Sequence, residues 1–247
     1  MNTNTFKETM SDSPIELRGI SSMATKSLLA YLTKLYKEKT GVSVQIESVG
    51  GVDAANRVRS GEVFDLVALA SDSIDKLIGS GHIQSNSRND WAKSPIAVAI
   101  KSGEKHPNIS NEESLKLSVL GSRSISYSTG PSGVYLESLF KRWGIAETIN
   151  DQIVIPPPGT PVGKLVATGQ ASLGFQQLSE LINLQGIDVV GILPTEIAYI
   201  TTFSAGISSC ISHDKERTKA VKNFLEFLSS AEVEDIKHEQ GMFFLNF

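Results

Sequence analysis

Apolar positions along this chain follow two alternating periods. Short apolar or alternating runs such as "IELRGI", "FDLVALA" and "ASLGFQQ" have the pattern of β-strands. Between them lie longer stretches with apolar residues three and four apart, such as Leu28, Leu32 and Leu35, which predict amphipathic helices. Strand and helix patterns alternate from end to end, which predicts an α/β fold with largely parallel sheets.

The spacing between these elements bears on domain organisation. The chain has no internal repeat, low-complexity run or Pro-rich linker. Residues 1–13 are polar and are predicted to form a flexible tail. The absence of a tether favours two lobes joined by strands over two domains on a flexible linker.

Composition excludes several functional classes. The chain has 247 residues, 40% of them hydrophobic, and a net charge of −4, so neither a nucleic acid nor a membrane surface is expected as a partner. Its single cysteine excludes an intrachain disulfide, and its four scattered histidines predict neither a metal site nor a metal cofactor. No other cofactor is expected. With no secretory signal pattern, a cytoplasmic placement is expected; the alternative is the periplasm, if a signal peptide has been removed.

Three stretches share one design, in which a strand ends, a turn of small residues follows and a helix begins. They are "GISSMATK", "SVGGVDAAN" and "SYSTGPSGVY". One such turn is typical of an ordinary helix cap, but three in one chain favour an anion site at the carboxyl ends of the strands. In the third stretch Pro131 is the expected first helical residue, which would leave the amides of Ser132, Gly133 and Val134 unpaired. Gly133 would also let a ligand approach the backbone.

These motifs, in this order, resemble the molybdate-binding proteins of ABC importers. The resemblance lies in residues 19–77, in "GPSGVYLESLFKRWGI" and in "LVATGQASLGFQQLSE", and it extends over residues 15–241. It implies a type II periplasmic-binding-protein fold: two Rossmann-like α/β lobes with a ligand cleft between them. Lobe 1 would comprise residues 14–94 and 202–247, and lobe 2 residues 95–201.

The chain departs from the family's pattern at the ligand. Ser22 keeps the family's first-turn serine, but Gly51 stands where a second serine is frequent, Ser132 where alanine is frequent, and Gln177 where a tyrosine is frequent. A glutamine side chain both donates and accepts, which suits a carboxylic acid better than a bare oxyanion. The expected ligand-binding residues are Ser21, Ser22, Met23, Gly51, Val52, Thr129, Ser132, Gly133, Thr160, Pro161, Gln176 and Gln177.

A branch of this family, the aconitate isomerases, interconverts cis- and trans-aconitate by a 1,3 proton shift. The resemblance therefore implies a small organic anion, a di- or tricarboxylate, as ligand and isomerisation as the function. The alternative is a non-enzymatic component of an ABC importer for molybdate or a similar oxyanion, with a permease as partner. A cytosolic effector-binding module ranks last, because the N-terminus has no DNA-binding helix pair.

An isomerase needs a group that carries the proton, and the sequence offers several candidates. Asp53 could do so or could simply complement the dipole of its helix. Tyr135 could line the cleft or pack in the core, and Lys164 could act as a base or as a cation for a carboxylate. Glu180 is typical of a helix-surface charge. Arg57 is expected on a solvated face, from which it could reach a carboxylate.

Overall fold

The computed structural model describes residues 15–157 and 159–244, so the predicted tail at residues 1–13 lies outside the described residues. Strands and helices alternate along most of the described chain, as predicted. They are β1 (Glu16–Ser22), α1 (Lys26–Thr40), β2 (Ser43–Val49), α2 (Gly51–Arg59), β3 (Leu66–Ala70), α3 (Ser71–Gly79), β4 (Asn89–Lys101), α4 (Glu112–Leu120), β5 (Ile125–Tyr127), α5 (Pro131–Arg142), α6 (Val162–Ala167), β6 (Leu173–Gln177), α7 (Leu178–Leu181), β7 (Ile187–Ile192), β8 (Ile200–Ile207), α8 (Lys215–Leu228) and α9 (Glu234–Glu239).

Strand β4 runs through both halves of the sheet. From Asn89 to Pro95 it pairs with β8, and from Ile96 onwards it pairs with β6 and β7. Proline has no amide hydrogen for a strand ladder, so Pro95 suits the point at which the partner changes. The lobe boundaries given above stay a prediction.

The expectation of largely parallel sheets is wrong. β1 pairs in parallel with β2 and β3, and β5 with β6, but the other four strand pairings in the described ranges are antiparallel. The physical reason is that β4 and β8 cross between the halves. β8 runs against β3 in the first half, and β4 runs against β6 and β7 in the second. Sequence periodicity alone does not reveal these directions.

Helices cover both faces of each half-sheet. In the first half, α1 and α8 bury one face around Trp91 and Phe224, and α2 and α3 bury the other around Ile20 and Val67. In the second half, the two faces carry their own separate apolar clusters. Because the helices cover only the two faces of each half-sheet, the strand ends remain uncovered. The three predicted turns lie at these strand ends. No helix within residues 15–157 and 159–244 is long and apolar enough to cross a membrane.

Candidate functional site

Two serines end strand β1, where the sequence had placed them in a turn. The Ser21 hydroxyl is hydrogen-bonded to the Ser48 hydroxyl of β2 at 2.8 Å. The Ser22 hydroxyl is buried and has no hydrogen-bond partner among the described residues. Met23 begins a single 3-10 turn that leads into α1 and is only partly buried. Ser22 therefore offers a free hydroxyl at the strand end.

The second turn lies directly beside the first. A Cβ placed on Gly51, the first residue of α2, would lie 3.7 Å from the Ser22 Cβ. Val52 is 63% exposed, and Asp53 is an exposed residue in the first turn of α2, where a carboxylate complements the helix dipole. Gly51 thus keeps the space beside Ser22 open, because any side chain there would project towards it.

The third turn is held by its own hydroxyl groups. The Ser132 and Ser128 hydroxyls are hydrogen-bonded at 2.8 Å, and Ser132 is buried, whereas Thr129 is exposed. Pro131 is the first residue of α5, as predicted. Ser128 was not expected to take part, although it lies in the stretch that the sequence singled out.

The expectation of three free amides at this helix start is wrong. The amides of Gly133 and Val134 both donate to the Gly130 carbonyl, at 3.0 and 3.1 Å, so of the three only the Ser132 amide has no acceptor among the described residues. Gly133 serves the turn itself: a Cβ there would lie 1.6 Å from the Ser128 carbonyl oxygen. The space over Gly133 is therefore filled by the chain and not left open for a ligand.

Two glutamines end β6, and both are buried. Gln176 accepts from the Gly163 amide at 3.3 Å and donates to the Glu180 carboxylate at 2.7 Å. Gln177 donates to the Thr201 hydroxyl at 2.6 Å, while its own side-chain oxygen has no partner within the described ranges. Gln177 therefore has a fixed amide group and a free acceptor.

The remaining predicted residues differ in how they are held. Thr160 and Pro161 are partly buried and directly precede α6, in which Lys164 is exposed. The Tyr135 hydroxyl donates to the Ile197 carbonyl at 2.8 Å, its ring stacks on Tyr199, and burial raises the pKa of its phenol. Tyr135 therefore ties α5 to the segment that leads into β8.

Arg57 is engaged elsewhere, although the sequence left it as a possible carboxylate ligand. Its guanidinium donates to Glu47 at 2.6 and 2.9 Å and to Glu62 at 2.7 Å, and it lies 5.7 Å from the ring centre of Phe64. These bonds occupy its donor fork on the surface of the first half, consistent with the solvated face that the sequence predicts.

The two halves meet beside these groups. The 3-10 turn Met23–Thr25 of the first half packs against α7 of the second. Buried polar atoms without a described partner occur on both sides of this contact: Ser22 Oγ directly before the turn, and Gln177 Oε1 and Ser179 Oγ at the start of α7. Ser126 Oγ of β5 is another such atom. Leaving one such group unpaired costs about 1–3 kcal/mol, so each requires an explanation, such as a bound ligand or water. The serine hydroxyls among them can donate hydrogen bonds to an anion.

Comparison with known proteins identifies the family. Residues 17–243 match the family model of bacterial extracellular solute-binding proteins. This chain belongs to that family. The family model covers nearly all of the described residues, so the assignment applies to both halves of the sheet.

One curated relative and two solved structures are similar over nearly their whole length. An aconitate isomerase from Pseudomonas sp. is 33% identical over 229 residues, which cover 90% of this chain and 86% of that protein. The periplasmic molybdate-binding protein of Azotobacter vinelandii superposes with a TM-score of 0.75 at 19% identity, covering 93% and 100% of the two chains. Peb3 from Campylobacter jejuni superposes with a TM-score of 0.67 at 17% identity, covering 92% of this chain and 99% of Peb3. These likenesses confirm the expected fold, an α/β solute-binding protein of the molybdate-binding type.

The family also bears on cellular placement. Its description is of extracellular proteins, which supports the periplasmic alternative. The cytoplasmic placement expected from the polar N-terminus has no such support. That expectation depended on residues 1–14, which lie outside the described ranges.

Proposed function

We propose that this solute-binding protein takes up a di- or tricarboxylate between its two halves and isomerises aconitate. The observation that carries this proposal is the 33% identity to an aconitate isomerase across 90% of the chain. The free hydroxyl of Ser22 supports a carboxylate ligand, since a hydroxyl group can donate a hydrogen bond to a carboxylate oxygen.

The chemistry requires little beyond binding and one proton carrier. In trans-aconitate a methylene group lies next to a carboxylate and to the double bond. Removing one of its protons leaves an anion delocalised over the double bond and the carboxylates, and returning the proton to the former vinyl carbon completes the shift. Neutral hydroxyl and amide dipoles near Ser22, Gly51 and Ser132 would stabilise the charge as it forms. Asp53, Tyr135 and Lys164 are the carriers that the sequence suggests.

The second candidate function is transport without catalysis. It is favoured by the family, which is one of extracellular solute-binding proteins, and by the structural similarity to a molybdate-binding protein. In that case the protein would deliver molybdate or a similar oxyanion to a permease from the periplasm. Both functions use the same neutral cleft, so binding of an anion alone does not separate them.

Turnover separates the two functions. Purified protein is incubated with trans-aconitate, and the vinyl proton is followed by NMR beside a protein-free sample. We expect the vinyl signal of cis-aconitate to appear at a rate proportional to protein concentration. Calorimetric titration with molybdate and tungstate provides the opposing measurement: tight oxyanion binding with no turnover of aconitate would favour the importer component and refute the isomerase.

A further inference from the structure

One carboxylate lies in the short helix α7, which follows Gln177 and includes Ser179. Glu180 is in α7, three residues after β6 ends at Gln177. Its Oε1 accepts a hydrogen bond of 2.7 Å from Gln176, whose own oxygen accepts from the Gly163 amide at 3.3 Å. The residue is only partly exposed, so the surface charge that the sequence suggests does not describe it. Glu180 is instead held in place through a buried glutamine.

Helix α7 joins this carboxylate to the first half of the molecule. It packs against β4, β6 and β7, and also against the 3-10 turn that follows Ser22. Two neighbouring residues, Gln177 and Ser179, each carry a buried polar atom without a described partner, and so does Ser22. All three residues are more than nine-tenths buried. Gln177 directly precedes α7, Ser179 lies in it, and Ser22 directly precedes the turn that packs against it. A ligand held by them would lie beside this short helix.

The other candidates for the proton carrier are less suitably placed. The Tyr135 hydroxyl donates to a backbone carbonyl, and burial raises its pKa, so it is a poor base near neutral pH. Asp53 and Lys164 are exposed, and neither side chain has a hydrogen bond within residues 15–157 and 159–244 that would orient it. A proton carrier must be positioned within hydrogen-bond reach of the carbon that it serves.

We propose that Glu180 carries the proton in the isomerase reaction, a proposal that rests on the function proposed above. Its carboxylate takes a proton from the methylene carbon, and the electrons of the broken C–H bond delocalise over the double bond and the adjacent carboxylate. The resulting carboxylic acid returns that proton to the former vinyl carbon. The double bond moves by one position, Glu180 regains its charge, and no other reactant is needed.

The acidity of Glu180 fits this role. Burial raises its pKa to about 7, although the hydrogen bond from Gln176 acts to lower it. A carrier that must both take and return a proton works best with a pKa close to the working pH. The charged residues on the strands that pack against α7 are Asp90, Lys93 and Lys101 on β4 and Asp188 on β7, and none contributes to the shift.

The test compares Glu180→Gln with Glu137→Gln, a matched change at an exposed glutamate of α5. The new amide can still accept from Gln176, so the local geometry is kept. We expect kcat for trans-aconitate to fall by about 100-fold or more in Glu180→Gln, with the Kd within about threefold of that of the wild type. Glu137→Gln should match the wild type. A properly folded, ligand-binding Glu180→Gln that keeps more than about a tenth of kcat would overturn the proposal.

The pH profile of the unmodified protein is a second, independent readout. We expect kcat/KM to rise as pH increases through about 7, as the carboxylate ionises. A profile that is flat between pH 6 and 8 would refute Glu180 even if its variant failed to fold. A wild-type protein that binds aconitate without turning it over would instead refute the isomerase function itself, so the two failures are distinguishable.

Discussion

Replacing Gly133 by alanine tests the structure at the third turn. The added Cβ would lie 1.6 Å from the Ser128 carbonyl oxygen and 2.7 Å from its carbon, whereas non-bonded heavy atoms prefer about 3.5 Å or more. The turn must therefore open by about 2 Å. Because the obstacle is backbone and not the tip of a flexible side chain, we expect a cost near 3 kcal/mol, the upper end for overpacking.

Helix propensity partly offsets this loss of stability, and the difference between the two effects gives the net change in the free energy of unfolding. Alanine is favoured over glycine inside a helix by about 1 kcal/mol, so the expected net loss for Gly133→Ala is about 2 kcal/mol. In a chain of this length that corresponds to a fall in Tm of about 4–8 °C. Guanidinium and thermal denaturation, followed by circular dichroism, measure the two quantities.

The matched control is Gly130→Ala in the same turn. A Cβ on Gly130 meets only the Ser128 hydroxyl oxygen, at 3.7 Å, and its backbone conformation, with φ of −84°, is open to alanine. The free energy of unfolding of Gly130→Ala should fall by less than about 1 kcal/mol, the ordinary cost of alanine at an N-cap. Equal stability of the two variants, or a Gly133→Ala protein as stable as the wild type, would refute the packing of Ser128 on this helix.

Three further predictions concern other groups. Ser22→Ala should leave the free energy of unfolding unchanged or higher, because the lost hydroxyl has no described partner. The same variant should bind a carboxylate more weakly by about 1 kcal/mol in calorimetry, and unchanged affinity would contradict a role of Ser22 in binding. Asp65→Ala should lower the free energy of unfolding by about 2–3 kcal/mol, because buried Asp65 accepts hydrogen bonds from the Arg217 guanidinium at 2.5 and 2.8 Å. Urea denaturation measures this loss, and a value below about 1 kcal/mol would contradict the prediction. The pKa of Glu180 is about 7 in the folded chain and about 4.5 in the unfolded chain, so the folded chain loses stability as pH rises between these values. The free energy of unfolding of the wild type should therefore fall by about 3 kcal/mol relative to that of Glu180→Gln between pH 4.5 and 7.5. The same stability difference between the two proteins at both pH values would contradict this.

Sequence patterns predict most of the fold because the elements are locally encoded. Periodicity places the helices and strands, Gly41 ends α1 in a left-handed conformation with φ of 78°, and Pro131 starts α5. The direction of β4 and β8 is not encoded in this way. Both strands look like any other apolar run, and the antiparallel pairing of β4 with β6 and β8 depends on partners 75 or more residues away along the chain.

The sequence points to some groups of the candidate site and not to others, for a related reason. Ser22, Gly51 and Gln177 follow from the strand-turn-helix design and from family resemblance. The Ser128 hydroxyl and the Glu180 carboxylate do not, because their surroundings arise from contacts made only on folding. The sequence does contain one indication for Glu180, which is its position four residues after Gln176. Because α7 starts directly at the end of β6, this spacing brings the two side chains into hydrogen-bond contact.

The contrast between Gly133 and Glu180 indicates where this site could acquire a new reaction. Gly133 is fixed by the Ser128 carbonyl, so the third turn tolerates little change in backbone and can vary only through side chains such as Ser132. Among the described residues, Glu180 is held by one hydrogen bond, from Gln176. An acid of ordinary pKa at that position would bind no proton at neutral pH, whereas burial brings this one to about 7. In our proposal, a binding cleft made of neutral dipoles therefore needs only one suitably buried carboxylate to move a proton, and in this chain α7 carries that carboxylate and packs against the turn that follows Ser22.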